Sequence, residues 1–174
     1  MDRLGLIQVY TGNGKGKTTA ALGLALRAIG QGLKVCMVQF MKGDESYGEI
    51  RAAKLLPDFT ILQVGRNDFV NLNSPDTIDV TLAKKGWEIA KNCISSGKYD
   101  IVILDEINVA MACGLLDTEQ VIEFLTAKPR TVEIILTGRY ASEAVQNIAQ
   151  LVTEMREIRH PYHQGVPSRS GIEY

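Results

Sequence analysis

Gly5-Leu-Ile-Gln-Val-Tyr-Thr-Gly-Asn-Gly-Lys-Gly-Lys-Thr-Thr-Ala-Ala21 decides how the rest of the chain is read. A short apolar strand runs into a Gly/Lys loop, and the loop runs into the start of a helix. Gly12, Gly14 and Gly16 carry no Cβ, so the backbone can turn its N–H groups inward and approach an anion closely. Lys17 can reach terminal phosphate oxygens, and Thr18 offers a hydroxyl to a bound magnesium ion. The positive end of the following helix converges on the same point. These residues predict a polyphosphate cradle, with ATP or a close relative as its ligand.

The usual spacing of such a loop is G-x-x-x-x-G-K-[ST]. Gly16-Lys17-Thr18 match it, but Thr11 fills the position of the first glycine, and Lys15 adds a second cation. The strand before and the helix after supply the context that the motif requires. The departure at Thr11 predicts phosphates held differently from those of an ordinary GTPase or kinase.

Working outward, apolar runs and helical stripes alternate. Strands are expected at Leu6–Tyr10, Lys34–Phe40, Thr60–Val64, Ile101–Leu104, Glu133–Thr137 and Leu151–Glu157. Most are near-continuous Val/Ile/Leu runs, as in strands covered on both faces. Residues 17–30 are rich in Ala and Leu on nearly every side, which predicts a helix buried against the sheet and ended by Gly30 and Gly32. Ser74-Pro75-Asp76 reads as an N-cap and first-turn proline opening a second helix, whose Ala83, Trp87, Ala90 and Ile94 recur at core spacing. Asp117 with Gln120 starts a third helix, and a fourth runs from about 142 to 150. The pattern predicts an α/β, doubly wound, mainly parallel sheet of about six strands, a RecA-like P-loop nucleotide-binding fold with ligands at the carboxyl ends of its strands. The irregular stretches 41–58, 66–73 and the tail from His160 are expected to carry what the cradle does not.

At 174 residues the chain is read as one domain, 1–174, able to bury roughly two-thirds of its unfolded surface. A net charge of -1 gives no reason to expect nucleic acid or an anionic membrane as partner. Asp2 and Arg3 lead straight into the first strand, which predicts no secretion signal and a cytoplasmic location. Cys36, Cys93 and Cys113 fit no metal spacing and are expected to be reduced, buried thiols.

Asp105 and Glu106 close a buried strand where the phosphates and Thr18 should converge, and acidic oxygens there can hold Mg²⁺ directly or through its water. Arg139, after Thr137-Gly138 on the same edge, reads equally as a phosphate contact or a solvated cation. His160-Pro-Tyr-His163 reads as a plain turn.

With these pieces in place, the chain resembles the P-loop corrinoid adenosyltransferases along nearly its whole length. The resemblance rests on Thr11 to Ala21, Val38-Gln-Phe-Met-Lys-Gly43, Gly48-Glu49, Leu104-Asp-Glu106, Leu136-Thr-Gly-Arg139 and Gly171-Ile-Glu-Tyr174. It implies transfer of the 5′-deoxyadenosyl group of ATP to Co(I) of a reduced corrinoid (cobalamin, cobinamide or cobyrinic acid a,c-diamide), with triphosphate released. The nucleophile then belongs to the substrate, in keeping with a chain in which no nucleophile–base pair can be read. The resemblance further implies that Gly12, Asn13, Gly14, Lys15, Gly16, Lys17, Thr18 and Thr19 hold ATP, seated in reverse, with Arg27 toward the nucleoside. Thr18 and Glu106 would hold Mg²⁺ or Mn²⁺ with Asp105 supporting them, Lys17 stands with them as catalytic, and Lys42, Glu49 and Phe69 would face the corrinoid. Some relatives carry Phe-x-Trp in the loop after the third strand; residues 65–71 keep only Phe69 of that pair. A homodimer and a reduced flavin or flavoprotein as reductant are expected on the same ground. A non-catalytic corrinoid or nucleotide carrier, which would bind without turnover, also fits, and two other classes of enzyme fit the generic loop: an ATPase switch or motor, and a small-molecule kinase. Neither finds its nucleic-acid stripe or arginine-bearing lid here.

Overall fold

The computed structural model describes residues 5–68 and 70–174. The chain starts with β1 (Ile7–Thr11), α1 (Lys17–Ile29), β2 (Val35–Phe40), α2 (Gly48–Ala53) and β3 (Phe59–Val64). It continues through α3 (Thr77–Ser95), β4 (Ile101–Asp105), α4 (Ile107–Ala112) and α5 (Thr118–Thr126). It ends with β5 (Glu133–Thr137), α6 (Glu143–Asn147), β6 (Leu151–Glu154) and a 3₁₀ turn at Pro161–Gln164. The strands form one sheet in the order β3-β2-β4-β5-β1-β6, and every pairing is parallel. The expected doubly wound α/β fold is therefore present. Strand β5 lies between the loop-bearing β1 and the acid-bearing β4, so the ends of all three strands bound one site.

Strands β2 and β4 are buried along their whole length, which is why they read as unbroken apolar runs. One face packs Cys36, Val38, Phe40, Leu104 and Leu136 against Trp87, Ala90 and Ile94 of α3. Trp87 is a core residue there, edge-on to Phe124 at 5.4 Å. The other face packs Met37, Ile103 and Ile135 against Ala21, Ala25 and Ala28 of α1.

Three expectations need correction, and a fourth needs refining. Helix α1 packs against the sheet as expected, but through a narrow stripe of Lys17, Ala21, Ala25 and Ala28, and Leu26 is 62% exposed. Small alanines let the helix lie close to the sheet, which pushes its leucines to the flanks. Helix α3 is capped by Asp76, not Ser74. Asp76 and Asp79 form a reciprocal capping box, and Arg66 binds both carboxylates at 2.8–2.9 Å. Segment 41–58 contains α2, too short to show a period in sequence. Strand β6 stops at Glu154 and α6 at Asn147, each three residues early.

Candidate functional site

The loop between β1 and α1 takes its shape from glycines at φ 95° (Gly12) and 120° (Gly16). Those at 12 and 14 have a second reason to lack a side chain. A Cβ would stand 2.5 Å from Met155 O at Gly12 and 2.7 Å from it at Gly14. Gly14 N–H donates to that same oxygen at 2.6 Å, so this donor is engaged by the chain beyond β6 and not turned toward an anion. Lys17 is buried, and its Nζ donates to Gly12 O at 2.8 Å and Gly14 O at 2.6 Å. Burial lowers its pKa; Glu106 and Asp105 pull the other way and Arg139 adds to the lowering. The ammonium thus sits at the centre of the loop, held by carbonyls that a phosphate could replace.

Asp105 is the hub of the site and is fully buried. Its Oδ1 accepts from Thr18 Oγ1 at 2.8 Å and Thr137 Oγ1 at 2.7 Å. Its Oδ2 accepts from Lys42 Nζ at 2.8 Å and Gln39 Nε2 at 3.2 Å. Gln39 also reaches Glu49 at 3.3 Å and accepts from Gln63 at 3.1 Å. For Lys42, burial favours the neutral amine, but attraction and the hydrogen bond to Asp105 outweigh it and the net pKa is raised. Four donors on one carboxylate make Asp105 a fixed negative point against Thr18.

Glu106 is held differently. Its backbone is left-handed (φ 61°), with its N–H donating to Thr137 Oγ1 at 3.0 Å. Burial and the neighbouring Asp105 raise its carboxyl pKa against the pull of Lys42, Lys17 and Arg139. A raised folded-state pKa contributes stability below the ordinary carboxylate range and loses it as pH rises through the shifted value. At neutral pH, Glu106 therefore costs the fold. Glu106→Gln is expected to raise the melting temperature by a few degrees at pH 7.5, with the gain shrinking toward pH 4.5. Thermal unfolding at the two pH values checks this, and a variant less stable at pH 7.5 would contradict it.

Among the described residues, the non-glycine positions at positive φ are Met41, Glu106 and Tyr140. They follow β2, β4 and β5, and all line one cleft of about 480 Å³ over the loop. Such backbone strain persists where the surroundings enforce it, and it gathers at functional sites. Asn13, Lys15, Lys17, Lys42 and Arg139 bring positive and polar groups to the same cleft. A second cavity, about 610 Å³, opens on the α1 side between Thr18, Thr19, Leu22, Leu26, Glu49 and the C-terminal tail.

Most of the residues singled out in sequence meet here. Gly12 to Gly16 form the loop and Lys17 to Thr19 open α1; Lys42, Asp105 and Glu106 converge; and Glu49 joins through Gln39. Arg139 stands in the cleft, within electrostatic reach of Lys17 and Glu106. Arg27 does not join them. It is exposed on α1, ten residues past Lys17, or about 15 Å along the axis. Phe69 lies outside the described residues, although its neighbours Asp68 and Val70 line the cleft. Residues 160–163 form a hydrogen-bonded turn, with His160 accepting from Tyr162 N at 3.1 Å and His163 paired to Glu157 at 2.7 Å. Gln39 and Thr137 were missed as partners of Asp105. Their signal was a polar residue at or near the end of an otherwise apolar strand.

Residues 3–174 match the family model described as ATP:corrinoid adenosyltransferase BtuR/CobO/CobP. The chain belongs to the ATP:corrinoid adenosyltransferase family. It is 38% identical over 175 residues to a corrinoid adenosyltransferase of Sinorhizobium sp., covering 99% of this chain and 82% of that protein. The corrinoid adenosyltransferase of Escherichia coli K12 is 37% identical over 173 residues, 99% of this chain and 87% of its own. A Nostoc sp. protein described as uncharacterised is 42% identical over 180 residues, covering 97% of this chain and 48% of that protein. This adenosyltransferase has no helix, among the described residues, long and apolar enough to cross a membrane. A hydroxyl, Thr18, and two carboxylates, Asp105 and Glu106, stand together here as oxygen donors, the type that hard divalent cations take.

Proposed function

We propose that this enzyme moves the 5′-deoxyadenosyl group of ATP onto the cobalt of a reduced corrinoid. A Co–C bond forms as Co(I) attacks C5′, the C5′–O bond breaks, and the electron pair leaves on triphosphate. Cobalt ends as Co(III). The observation that carries this reading is the cleft itself. A phosphate loop with a buried central lysine opens into a space that Lys15, Lys42 and Arg139 also line, which supports a site that takes up the charge of a polyphosphate leaving group.

The chain's own tasks are to hold, orient and neutralise. Lys17 and the loop N–H groups would take the charge that develops on triphosphate, and Arg139 would lie alongside. Thr18 and Glu106 would hold the magnesium or manganese ion, with Asp105 supporting Thr18, and the ion would supply further positive charge to the leaving group. Lys42 neutralises Asp105 from the cleft side and keeps that carboxylate in place. Closing reactants together in a small space contributes through orientation. The remaining features of this reading are that residues 1–174 act as one unit, as a homodimer in the cytoplasm, with cobalt reduced by a flavin or flavoprotein.

Anaerobic incubation with ATP, Mg²⁺ and chemically reduced cobinamide should give a light-sensitive alkylcobalt spectrum. No such product with either cobinamide or a complete corrinoid would refute the reading.

A further inference from the structure

The C-terminal segment Arg169–Tyr174 is folded back onto the phosphate loop. Lys15 Nζ donates to Glu173 Oε1 at 2.7 Å and to Ile172 O at 2.9 Å, across 158 and 157 residues of chain. The segment is already organised around that carboxylate. Arg169 gives Glu173 three hydrogen bonds, at 2.8 Å from its backbone N and at 3.0–3.1 Å from its guanidinium. Backbone bonds from Ile172 N and Glu173 N to Arg169 O, and from Gly171 N to Tyr174 O, close the turn. Tyr174 then rests 6.1 Å, centroid to centroid, from Tyr47, just before α2. Together Arg169 and Lys15 hold the Glu173 carboxyl well below the usual carboxylate range, so it is an anion at any working pH.

Lys15 belongs to the loop that would cradle triphosphate, and Glu173 lines both the cleft and the second cavity. A carboxylate and a phosphate want the same ammonium. We propose that Glu173 is a carboxylate placeholder on Lys15 that polyphosphate displaces, which makes the C-terminal segment a strap that loosens when nucleotide enters. The idea rests on the polyphosphate reading of the loop. Its two ends differ in strength: Arg169–Glu173 is local and stays formed in the released strap, whereas Lys15–Glu173 must be exchanged for phosphate. The energy at stake is that of an exposed ion pair, so the strap tunes affinity and does not forbid binding.

Inorganic tripolyphosphate is the probe, used with the full chain and Glu173→Gln. The variant should bind tripolyphosphate about two- to five-fold more tightly by calorimetry, the size of one exposed pair. In the unsubstituted protein, tripolyphosphate should speed amide hydrogen exchange in residues 169–174 several-fold. Lys15→Ala should show the faster exchange with no tripolyphosphate added. Three results would overturn the proposal: slower exchange of the strap on binding, weaker binding by Glu173→Gln, or a strap indifferent to bound tripolyphosphate. In each of these the loop still binds and its reading stands. Failure of the unsubstituted protein to bind tripolyphosphate at all would remove both.

Discussion

Lys17→Ala is expected to lower kcat/KM by about 10²–10³-fold, the usual effect of removing one preorganised donor from a developing anion. The side chain is a buried point charge held at 2.6–2.8 Å by two loop carbonyls. Burial disfavours that charge in the nucleotide-free protein, so removing it should leave thermal stability nearly unchanged. Steady-state assays paired with a thermal melt separate the two effects. Activity within about twofold of the parent, in a folded variant, would take the loop out of leaving-group stabilisation.

Asp105→Ala should strike the fold as well as the site. It strips the acceptor from Thr18, Thr137, Gln39 and the ammonium of Lys42 at once. Breaking a buried pair from one side costs about 3–5 kcal/mol, because the remaining charge is left without a partner. At about 2–4 °C per kcal/mol for a chain of this size, the melting temperature should fall by roughly 6–20 °C. Adding Lys42→Met should recover part of the loss, since it removes the orphaned charge. A fall of less than about 2 °C for Asp105→Ala alone would show that Lys42 and the hydroxyls find other partners or water.

The loop, the sheet and the acids at the end of β4 were legible because each has a local signature. Glycine and lysine at fixed spacing, and unbroken Val/Ile/Leu runs, need no knowledge of distant residues. Asp105's partners come from α1, β2, β5 and Lys42, between 32 and 87 residues away, and no local pattern records such contacts. The start of α3 was ambiguous because Ser74 and Asp76 are both good caps. Asp79 and Arg66 decide it by completing the box around Asp76. The alanines of α1 marked the helix that packs on the sheet, but not how narrow its buried stripe would be. The rise of the same helix carries Arg27 away from the loop. The strap on Lys15 joins the chain's last residues to its first loop, a pairing that only the folded chain brings together.

The most direct test of carbon-centred transfer is the stoichiometry of phosphorus products, read by phosphorus NMR beside the cobalt spectrum. With ATP, Mg²⁺ and reduced cobinamide kept anaerobic and dark, one triphosphate should appear for each photolabile alkylcobalt formed. ADP and orthophosphate with an unchanged corrinoid would contradict the account and return the loop to ordinary phosphoryl chemistry.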